Sequence, residues 1–396
     1  MKHIYQLLTQ AFNSKFAATT GKTSLFFAPG RVNLIGEHTD YNGGNVFPCA
    51  LDIGTYALVA PRADNQIRGY SLNFTEKGVI QFPLINLSND PAHDWANYPK
   101  GVIKVLADHG YPLPHGLDIV FYGTIPNGAG LSSSASIEVL MATIIKHYGN
   151  YPALDGVKIA QFCQQAENQF IGVNCGIMDQ FAIAMGKSAH AILLDCNTLN
   201  YQYAPLELGD NILVIANTNK KRGLADSKYN ERRGECDHAL SQLQTRLKIN
   251  SLCELDIATL AANKDLVTNP TEYRRIYHAI SENQRTLAAV KALHDNDLGT
   301  FGQLMNQSHI SLRDDYEVTG KELDSLVSRA WEHPACIGSR MTGAGFGGCT
   351  VSLVKKAQVE DFINQVKTAY ANDTGLTADF YMVGVGNGAA FIEDIQ

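Results

Sequence analysis

The chain has 396 residues, of which 45% are apolar and 18% are charged, a balance typical of a folded globular protein rather than a disordered one. At about 150 residues per domain, this length predicts two or three domains. The net charge is −7 and no strongly basic segment stands out, which excludes nucleic acid and a membrane surface as expected partners.

The N-terminal segment and the cysteines indicate a cytoplasmic protein. Apolar side chains recur at helical spacing over residues 4–12, which predicts a packed amphipathic helix and not a signal peptide. No apolar run reaches the roughly 20 residues of a membrane span. The eight cysteines contain no Cys-x-x-Cys pair, so we expect reduced thiols rather than a zinc or redox centre. No obligate protein partner is evident.

The elements in chain order predict an α+β fold. Short runs bounded by turn residues predict strands at 24–28, 56–60, 67–72, 79–84 and 117–125. Further on, the pattern predicts helices at 132–147 and 156–171, strands at 191–195 and 213–216, and a mainly helical stretch over 226–332. A strand at 349–354, a helix at 356–370 and a strand at 376–383 follow. A soft boundary near residue 205 divides the chain into domains 1–205 and 206–396.

Many of the 34 glycines fall into two clusters, and the first continues into a serine-rich segment, GAGLSSSAS at 128–136. It lies between a predicted strand and a predicted helix. Glycines allow a ligand to approach the backbone closely, and the start of a helix attracts anions. A phosphate-binding loop and a tight turn with a serine cap both fit this pattern. A Walker A loop is excluded, because Phe16 stands where Gly21-Lys22-Thr23 would need a preceding glycine.

The second cluster, MTGAGFGGC at 341–349, contains a formal G-x-G-x-x-G. In a dinucleotide-binding loop that pattern follows a strand and opens a helix. Here a helical stretch and a turn are predicted before it and a strand after it, so we reject that interpretation. A loop that approaches a ligand closely and a plain glycine-rich turn remain open.

The richest segment is APGRVNLIGEHTDYNGG at 28–44, in which charged and amide side chains crowd together without surface-type lysine or serine. Such a set of donors and acceptors suits a ligand with many hydroxyl groups. His38 is predicted to be packed or hydrogen-bonded rather than a metal ligand, since no second His or Cys lies at ligand spacing.

The string GRVNLIGEHTDYNGG resembles the signature of the galactokinase family, within the GHMP kinase superfamily. The resemblance continues through GAGLSSSAS, CGIMDQ at 175–180 and MTGAGFGGC, in the family's order. It implies a two-domain α+β fold with an N-terminal domain like the second domain of ribosomal protein S5. The C-terminal domain would be ferredoxin-like, with the active site in the cleft between the two. The implied reaction is ATP + α-D-galactose → ADP + α-D-galactose 1-phosphate, with Mg²⁺.

The resemblance also implies site residues. Asp179 matches the catalytic base and Arg31 its partner. Sugar-binding positions are Glu37, His38, Thr39, Asp40, Gly176, Asp179 and Tyr229. Positions around the ATP phosphates are Gly128, Ala129, Gly130, Leu131, Ser132, Ser133 and Ser134. Ser134 and Glu167 match the magnesium positions, and Trp95 and Tyr98 match residues that flank the adenine. The loop at 343–347 would lie beside the phosphates and the sugar.

Each assignment has a structural alternative. Asp179 could be only a buried ion-pair partner, Glu167 a solvated position on a helix, and Tyr229 an ordinary aromatic at a helix start. Trp95 and Tyr98, three residues apart, could be core packing. Two functional alternatives also remain. One is a related sugar 1-kinase acting on N-acetylgalactosamine, galacturonate or arabinose, and the other is a non-catalytic sensor of galactose and ATP. In the sensors the Ser-Ala pair is missing, whereas it is intact here at 134–135.

Overall fold

The computed structural model describes residues 2–16, 22–125, 130–220 and 225–395. Its helices are α1 (Lys2–Lys15), α2 (Asn97–Asp108), α3 (Ser133–Gly149), α4 (Gly156–Ala166), α5 (Met178–Met185), α6 (Ala225–Leu243), α7 (Ile257–Ala262), α8 (Pro270–His294), α9 (Leu298–Asp314), α10 (Lys321–Glu332) and α11 (Val359–Thr374). Its strands are β1 (Thr23–Asn33), β2 (Asn45–Val46), β3 (Pro48–Pro61), β4 (Gln66–Ser71), β5 (Ile80–Pro83), β6 (Leu117–Gly123), β7 (His190–Asp195), β8 (Tyr201–Pro205), β9 (Asn211–Asn217), β10 (Cys336–Thr342), β11 (Cys349–Lys355), β12 (Asp379–Val383) and β13 (Ala390–Ile395).

The first sheet has six strands in the order β13-β1-β3-β6-β4-β5, and every neighbouring pair is antiparallel except β4 and β6. Successive side chains of a strand point to opposite faces. On β6, Ile119 and Phe121 therefore join the core under α2, α3 and α4, while Val120 packs against Leu8 and Phe12 of α1. The sheet is thus covered on both faces, and the predicted N-terminal helix is confirmed.

The second sheet is fully antiparallel, in the order β10-β11-β9-β12. Strand β9 sends Val214 toward α10 and α11, and Leu213 and Ile215 toward α8 and α9. That second core also contains Val32 and Phe47 from the first half of the chain, so one apolar cluster joins the two halves. A small third sheet, β2-β7-β8, lies in the first half.

Two predictions about the later part of the chain need correction. The glycine cluster at 343–348 follows strand β10 rather than a helical stretch, so it is the turn of an antiparallel hairpin with β11. No helix follows it, and the rejection of a dinucleotide loop stands. Strand β13 was not predicted, and it pairs with β1, so the chain returns to the first sheet. The division at 205/206 stays a prediction. No helix in the described part of the chain is long and apolar enough to cross a membrane.

Candidate active site

A cleft of about 470 Å³ lies where the two halves face each other. It is lined by most of the predicted site residues, namely Arg31, Glu37, His38, Asp40, Tyr98, Gly130, Ser132, Ser133, Ser134, Glu167, Gly176, Asp179 and Tyr229. The segment 172–175, Met178, Asn230, Gly343 and Ala344 complete the lining. Gly128 and Ala129 lie outside the described residues.

Asp179 and Arg31 form the central ion pair of the cleft. Arg31, on β1, donates from Nε to Asp179 Oδ1 at 2.9 Å and from Nη2 to Oδ2 at 3.0 Å. Its Nη1 donates to the Gly130 carbonyl oxygen at 2.8 Å. This bidentate contact fixes the plane of the carboxylate and places a positive charge beside it. The Asp179 side chain is still 30% exposed, so it is not only a buried partner of Arg31.

The serine-rich loop supports this pair directly. Ser132 precedes α3 in a left-handed conformation (φ 61°), and its side chain does not cap the helix. Its hydroxyl donates instead to Asp179 Oδ2, while its carbonyl oxygen accepts from the Ser136 amide. Ser133 and Ser134, at the start of α3, line the cleft beside it. The helix start therefore presents hydroxyl groups to the cleft, where its dipole favours an anion.

Glu167 lies behind Ser134 and is only 7% exposed, so the alternative of a solvated helix position is wrong. The predicted helix at 156–171 ends as a π-helical turn, Glu167–Ile171, that begins at this residue. Burial first, and then the Asp179 charge, raise the pKa of Glu167 to about 7, and a hydrogen bond with Ser134 opposes that rise. Fully buried Glu138 lies close by, and Gln180 Nε2 donates to both Glu167 at 2.6 Å and Glu138 at 3.2 Å. The sequence did not point to Glu138.

On the opposite side of the cleft, Glu37 is fixed by residues from the far end of the chain. Its Oε1 accepts from the Gly343 amide at 2.7 Å and the Thr342 hydroxyl at 3.1 Å. Arg340 Nη1 lies 3.4 Å from the same oxygen. The three donors converge on one oxygen of a carboxylate that lines the cleft.

His38 links the signature string at 30–44 to the second glycine loop. Burial lowers the pKa of His38 to about 3, so the ring is neutral and carries one N–H. The Ala344 carbonyl oxygen, 3.3 Å from Nε2, can only accept, so the hydrogen is assigned to Nε2. Nδ1 then accepts from the Tyr41 hydroxyl at 2.7 Å. Both ring nitrogens are used within the protein, which agrees with the prediction that His38 is hydrogen-bonded rather than a metal ligand.

Asp40, Gly176 and Tyr229 form the remaining wall. A Cβ on Gly176 would lie 1.8 Å from Asp40 Oδ2, so the loop can approach this carboxylate only with glycine there. Burial, and next the Asp179 charge, raise the pKa of Asp40 to about 7. The Tyr229 ring, at the start of α6, lies 5.7 Å from the His38 ring and 5.6 Å from the Tyr41 ring. Tyr229 is thus part of the cleft wall as well as a helix-start aromatic.

Three predicted side chains do not line the cleft. The Thr39 hydroxyl lies 2.9 Å from the Gly36 carbonyl oxygen and 2.7 Å from that of Asn45, so it holds the turn instead. The Leu131 side chain is in the core, and only its carbonyl oxygen reaches Arg31, accepting from the amide at 3.3 Å. Trp95 is packed in the core, and its ring lies 5.3 Å from Phe121. Its contact with an adenine stays a prediction, as does that of Tyr98, which lines the cleft.

Three protein-family models match the chain. The galactokinase galactose-binding signature matches residues 10–61, the GHMP kinases N terminal domain 97–187, and the GHMP kinases C terminal model 289–372. A galactokinase of Clostridium beijerinckii is 60% identical over 365 residues, covering 92% of this chain and 94% of that protein. A galactokinase of Bacillus subtilis is 55% identical over 377 residues, covering 94% of this chain and 96% of that protein. The chain belongs to the galactokinase family.

Solved structures confirm the predicted GHMP kinase fold. The crystal structure of Lactococcus lactis galactokinase complexed with galactose is 46% identical, has a TM-score of 0.95, and covers 98% of this chain and 100% of that one. The mevalonate kinase of Methanococcus jannaschii, at 19% identity and a TM-score of 0.67, shares the fold over 93% of this chain and all of its own. Membership of a kinase family implies ATP as the co-substrate.

Some residues of this galactokinase-family site escaped prediction from the sequence. Arg340 and Thr342 hold Glu37 from strand β10, just before the second glycine loop. The sequence predicted a turn before the glycine cluster and no strand there, so which of these side chains face inward could not be deduced. One feature of the sequence could have pointed to both residues: they lie beside a glycine cluster that could approach a ligand closely.

Proposed function

We propose that this chain transfers the γ-phosphoryl group of ATP to the C1 hydroxyl of α-D-galactose, releasing ADP and α-D-galactose 1-phosphate. One observation carries the proposal: Arg31 orients the carboxylate of Asp179, which faces a cleft whose two walls differ in chemistry. On one side lie carboxylates suited to sugar hydroxyls, Glu37 and Asp40. On the other lies a helix start with serine hydroxyls suited to phosphates.

Asp179 acts as the general base. The hydroxyl of a sugar is a weak nucleophile at neutral pH, and a positioned carboxylate that takes its proton typically accelerates such a step about 10²–10⁴-fold. A carboxylate offers about four acceptor positions. Three are occupied by Arg31 and Ser132, which leaves one for the C1 hydroxyl. As the bond from the C1 oxygen to the γ-phosphorus forms, the bond to the bridging oxygen of ADP breaks and the proton passes to Asp179.

Charge on the transferring group is met locally. Phosphoryl transfer requires alignment and compensation of charge more than covalent catalysis. The Arg31 guanidinium beside Asp179, the amides at the start of α3 and the hydroxyls of Ser133 and Ser134 supply that compensation. The chain therefore needs no overall positive charge, and its net charge of −7 is consistent with an anionic co-substrate.

The residues around Ser134 fit a magnesium ion bound together with ATP. Mg²⁺ prefers oxygen ligands and is usually held by one or two side chains plus phosphate oxygens and water. Ser134 hydrogen-bonds Glu167, and burial together with the Asp179 charge raises the pKa of that carboxyl, so a divalent cation beside it would favour the ionised form. Nowhere among the described residues do three or more His, Cys, Asp or Glu side chains form a metal site of their own. When bound, Mg²⁺ would neutralise phosphate charge.

The decisive experiment is a sugar panel. Purified protein is incubated with ATP and galactose, N-acetylgalactosamine, galacturonate or arabinose, and ADP release is followed. We expect galactose to give the highest kcat/KM. Galactose turnover no faster than the no-sugar blank would overturn the proposal. Galactose binding by calorimetry without ADP release would instead favour the sensor, and faster turnover of another sugar would favour the related 1-kinase.

We also propose that the chain works in the cytoplasm and divides into domains 1–205 and 206–396. The cytoplasmic location rests on the cysteine pattern described above. The division is supported by the separate sheets on either side of residue 205. Limited proteolysis near residues 206–210 that releases two stable fragments would support it, with strand β13 expected to stay associated with the first.

A further inference from the structure

A buried chain of polar contacts runs from helix α8 to the sugar side of the cleft. It starts at Glu282, which is fully buried. Its Oε1 accepts from the Gly36 amide at 2.9 Å and from the Ser308 hydroxyl at 2.5 Å. Its Oε2 accepts from Arg285 Nε at 2.8 Å. A carboxylate of the second half thus accepts a hydrogen bond from the backbone within the signature string at 30–44.

The chain of contacts continues through α9 to β10. Ser308 accepts from Arg340 Nε at 3.1 Å, and Arg340 is itself fully buried. Arg340 Nη1 donates to the Asn33 carbonyl oxygen at 3.0 Å and lies 3.4 Å from Glu37 Oε1. The network therefore reaches Glu37 in two ways. Glu282 holds the backbone at this residue, and Arg340 contacts its side chain.

A network of buried charges is an inefficient way to stabilise a fold, because each charge must be removed from water. Taking ions out of water costs several kcal/mol each, and well-packed apolar side chains of similar volume are often as stable or more so. Burial alone would raise the pKa of Glu282, but Arg285 and other nearby positive groups hold it at about 2, so the group stays ionised. Stability alone therefore does not account for these charges.

What the network does fix is a tight turn that only glycine fits. Gly36 adopts φ 93°, and a Cβ there would lie 2.7 Å from the Asn45 carbonyl oxygen. Its amide points to Glu282. The next residue is Glu37, whose carbonyl oxygen lies 3.1 Å from His278 Nε2. The backbone at Gly36 and Glu37 is thus held from several directions before any ligand arrives.

We propose that Glu282, Ser308 and Arg340 are positioning residues for sugar recognition. They hold the backbone at Gly36 and the carboxylate of Glu37 in one orientation, so that sugar binding does not have to order them. The affinity gained is the ordering cost that is avoided. This inference rests on the proposed function, in which Glu37 accepts a hydrogen bond from a hydroxyl of galactose.

The test uses Glu282→Gln and Ser308→Ala in the full chain. For each we would measure kcat, KM for galactose, KM for ATP, and the galactose Kd by calorimetry. Buried hydrogen bonds to charged groups are worth roughly a tenfold to hundredfold change in an equilibrium. We expect Glu282→Gln to raise both the KM and the Kd for galactose about tenfold or more, and Ser308→Ala to raise them less. KM for ATP should not change.

Asp118→Asn is the matched control. Asp118 is a buried carboxylate in the first sheet, bonded to Arg62 at 2.9 Å and to Arg68 at 2.6 Å, and it takes no part in the network around Glu37. Asp118→Asn removes a buried carboxylate that pairs with arginine, as Glu282→Gln does. A purely structural defect lowers the active fraction, and hence the apparent kcat and the calorimetric stoichiometry, while leaving KM unchanged. We expect that pattern for Asp118→Asn.

The outcomes separate this inference from the proposed function. Wild-type protein that neither binds nor phosphorylates galactose overturns both. Wild-type protein that phosphorylates galactose, with Glu282→Gln and Ser308→Ala keeping the wild-type KM and Kd for the sugar, overturns only the positioning role. If Glu282→Gln does not fold, Ser308→Ala decides, because it removes a single hydroxyl and leaves both charges in place.

Discussion

The two glycine-rich loops of the cleft have similar compositions but support different carboxylates. The first runs into helix α3, and its Ser132 hydroxyl donates to Asp179. The second is the turn of the β10–β11 hairpin, and its Gly343 amide donates to Glu37. The loops meet, since a Cβ on Gly343 would lie 3.2 Å from the Gly130 carbonyl oxygen.

Under the proposed function, the first loop, which combines a helix start with side-chain hydroxyls, lies at the reacting end of the cleft. The second loop, which supplies backbone amides and close approach, shapes the sugar end through Glu37. On that proposal, a glycine-rich loop need not bind phosphate to contribute to a kinase site. Substitutions in the first loop should therefore act mainly on kcat, and those in the second mainly on KM for galactose.

The largest effect is expected at the carboxylate that the first loop supports. Asp179→Asn keeps the shape but removes the base, so kcat should fall about 10²–10⁴-fold. Galactose binding, measured by calorimetry, should persist. A variant that retains near wild-type kcat would remove Asp179 from the mechanism and would deprive the first loop of its role.

Ser132→Ala removes one hydrogen bond to that carboxylate. Hydrogen bonds to charged groups contribute about 1.5–3 kcal/mol, so kcat should fall at least about tenfold. Steady-state kinetics should show KM for galactose close to wild type. A rise in KM with constant kcat would mean that the two loops do not divide the work as described.

Gly343→Ala tests the second loop. The residue has φ 85°, and the new Cβ would press on Gly130, so the amide should move away from Glu37. KM for galactose should rise about tenfold, consistent with the loss of one hydrogen bond to a buried charge. Gly375→Ala is the control, because Gly375 has φ 74° and open space around it. That control should lose stability without any change in KM.

The smallest effect is one on stability. The pKa of Asp40 is raised in the folded protein to about 7, whereas an unfolded chain has about 3.9. The folded state therefore binds the proton more tightly, and this group's contribution to stability is lost as pH rises from about 4 to about 7. Asp40→Asn should raise Tm relative to wild type more at about pH 8 than at about pH 5, while weakening galactose binding. An equal Tm difference at both pH values would contradict this.

The site could be predicted from the sequence where ligand chemistry dictates residue type. The family resemblance pairs Asp179 with Arg31 correctly, and composition alone singles out both glycine clusters. The resemblance also includes Thr39 among the sugar contacts, although its hydroxyl closes the turn. Short motifs indicate which segment approaches a ligand, but not which side chain of that segment points to it.

Strand β10 shows why part of the fold escaped. Its residues Ser339, Arg340 and Thr342 are all buried, so the alternation of apolar and polar side chains that marks a strand is missing. Most of their side-chain polar atoms hydrogen-bond distant partners, among them Ser352 at 2.8 Å from Ser339 and the Asn33 carbonyl oxygen, whereas Arg340 Nη2 has no partner among the described residues. The segment is a strand because it pairs with β11 across the glycine turn, and contacts with residues far along the chain keep its polar side chains buried.

Strand β13 sets the order in which the protein can mature during translation. It pairs with β1, and the Ser24 hydroxyl donates to Asp394 at 2.7 Å across 370 residues of chain. At about 5–20 residues per second, the ribosome needs roughly 20 to 70 s to make the residues that separate the two strands. During that time β1, which carries Arg31, exposes an open edge of the kind that pairs with other chains. A product that stops before residue 390 keeps that edge, so truncated chains are expected to aggregate more readily than finished ones.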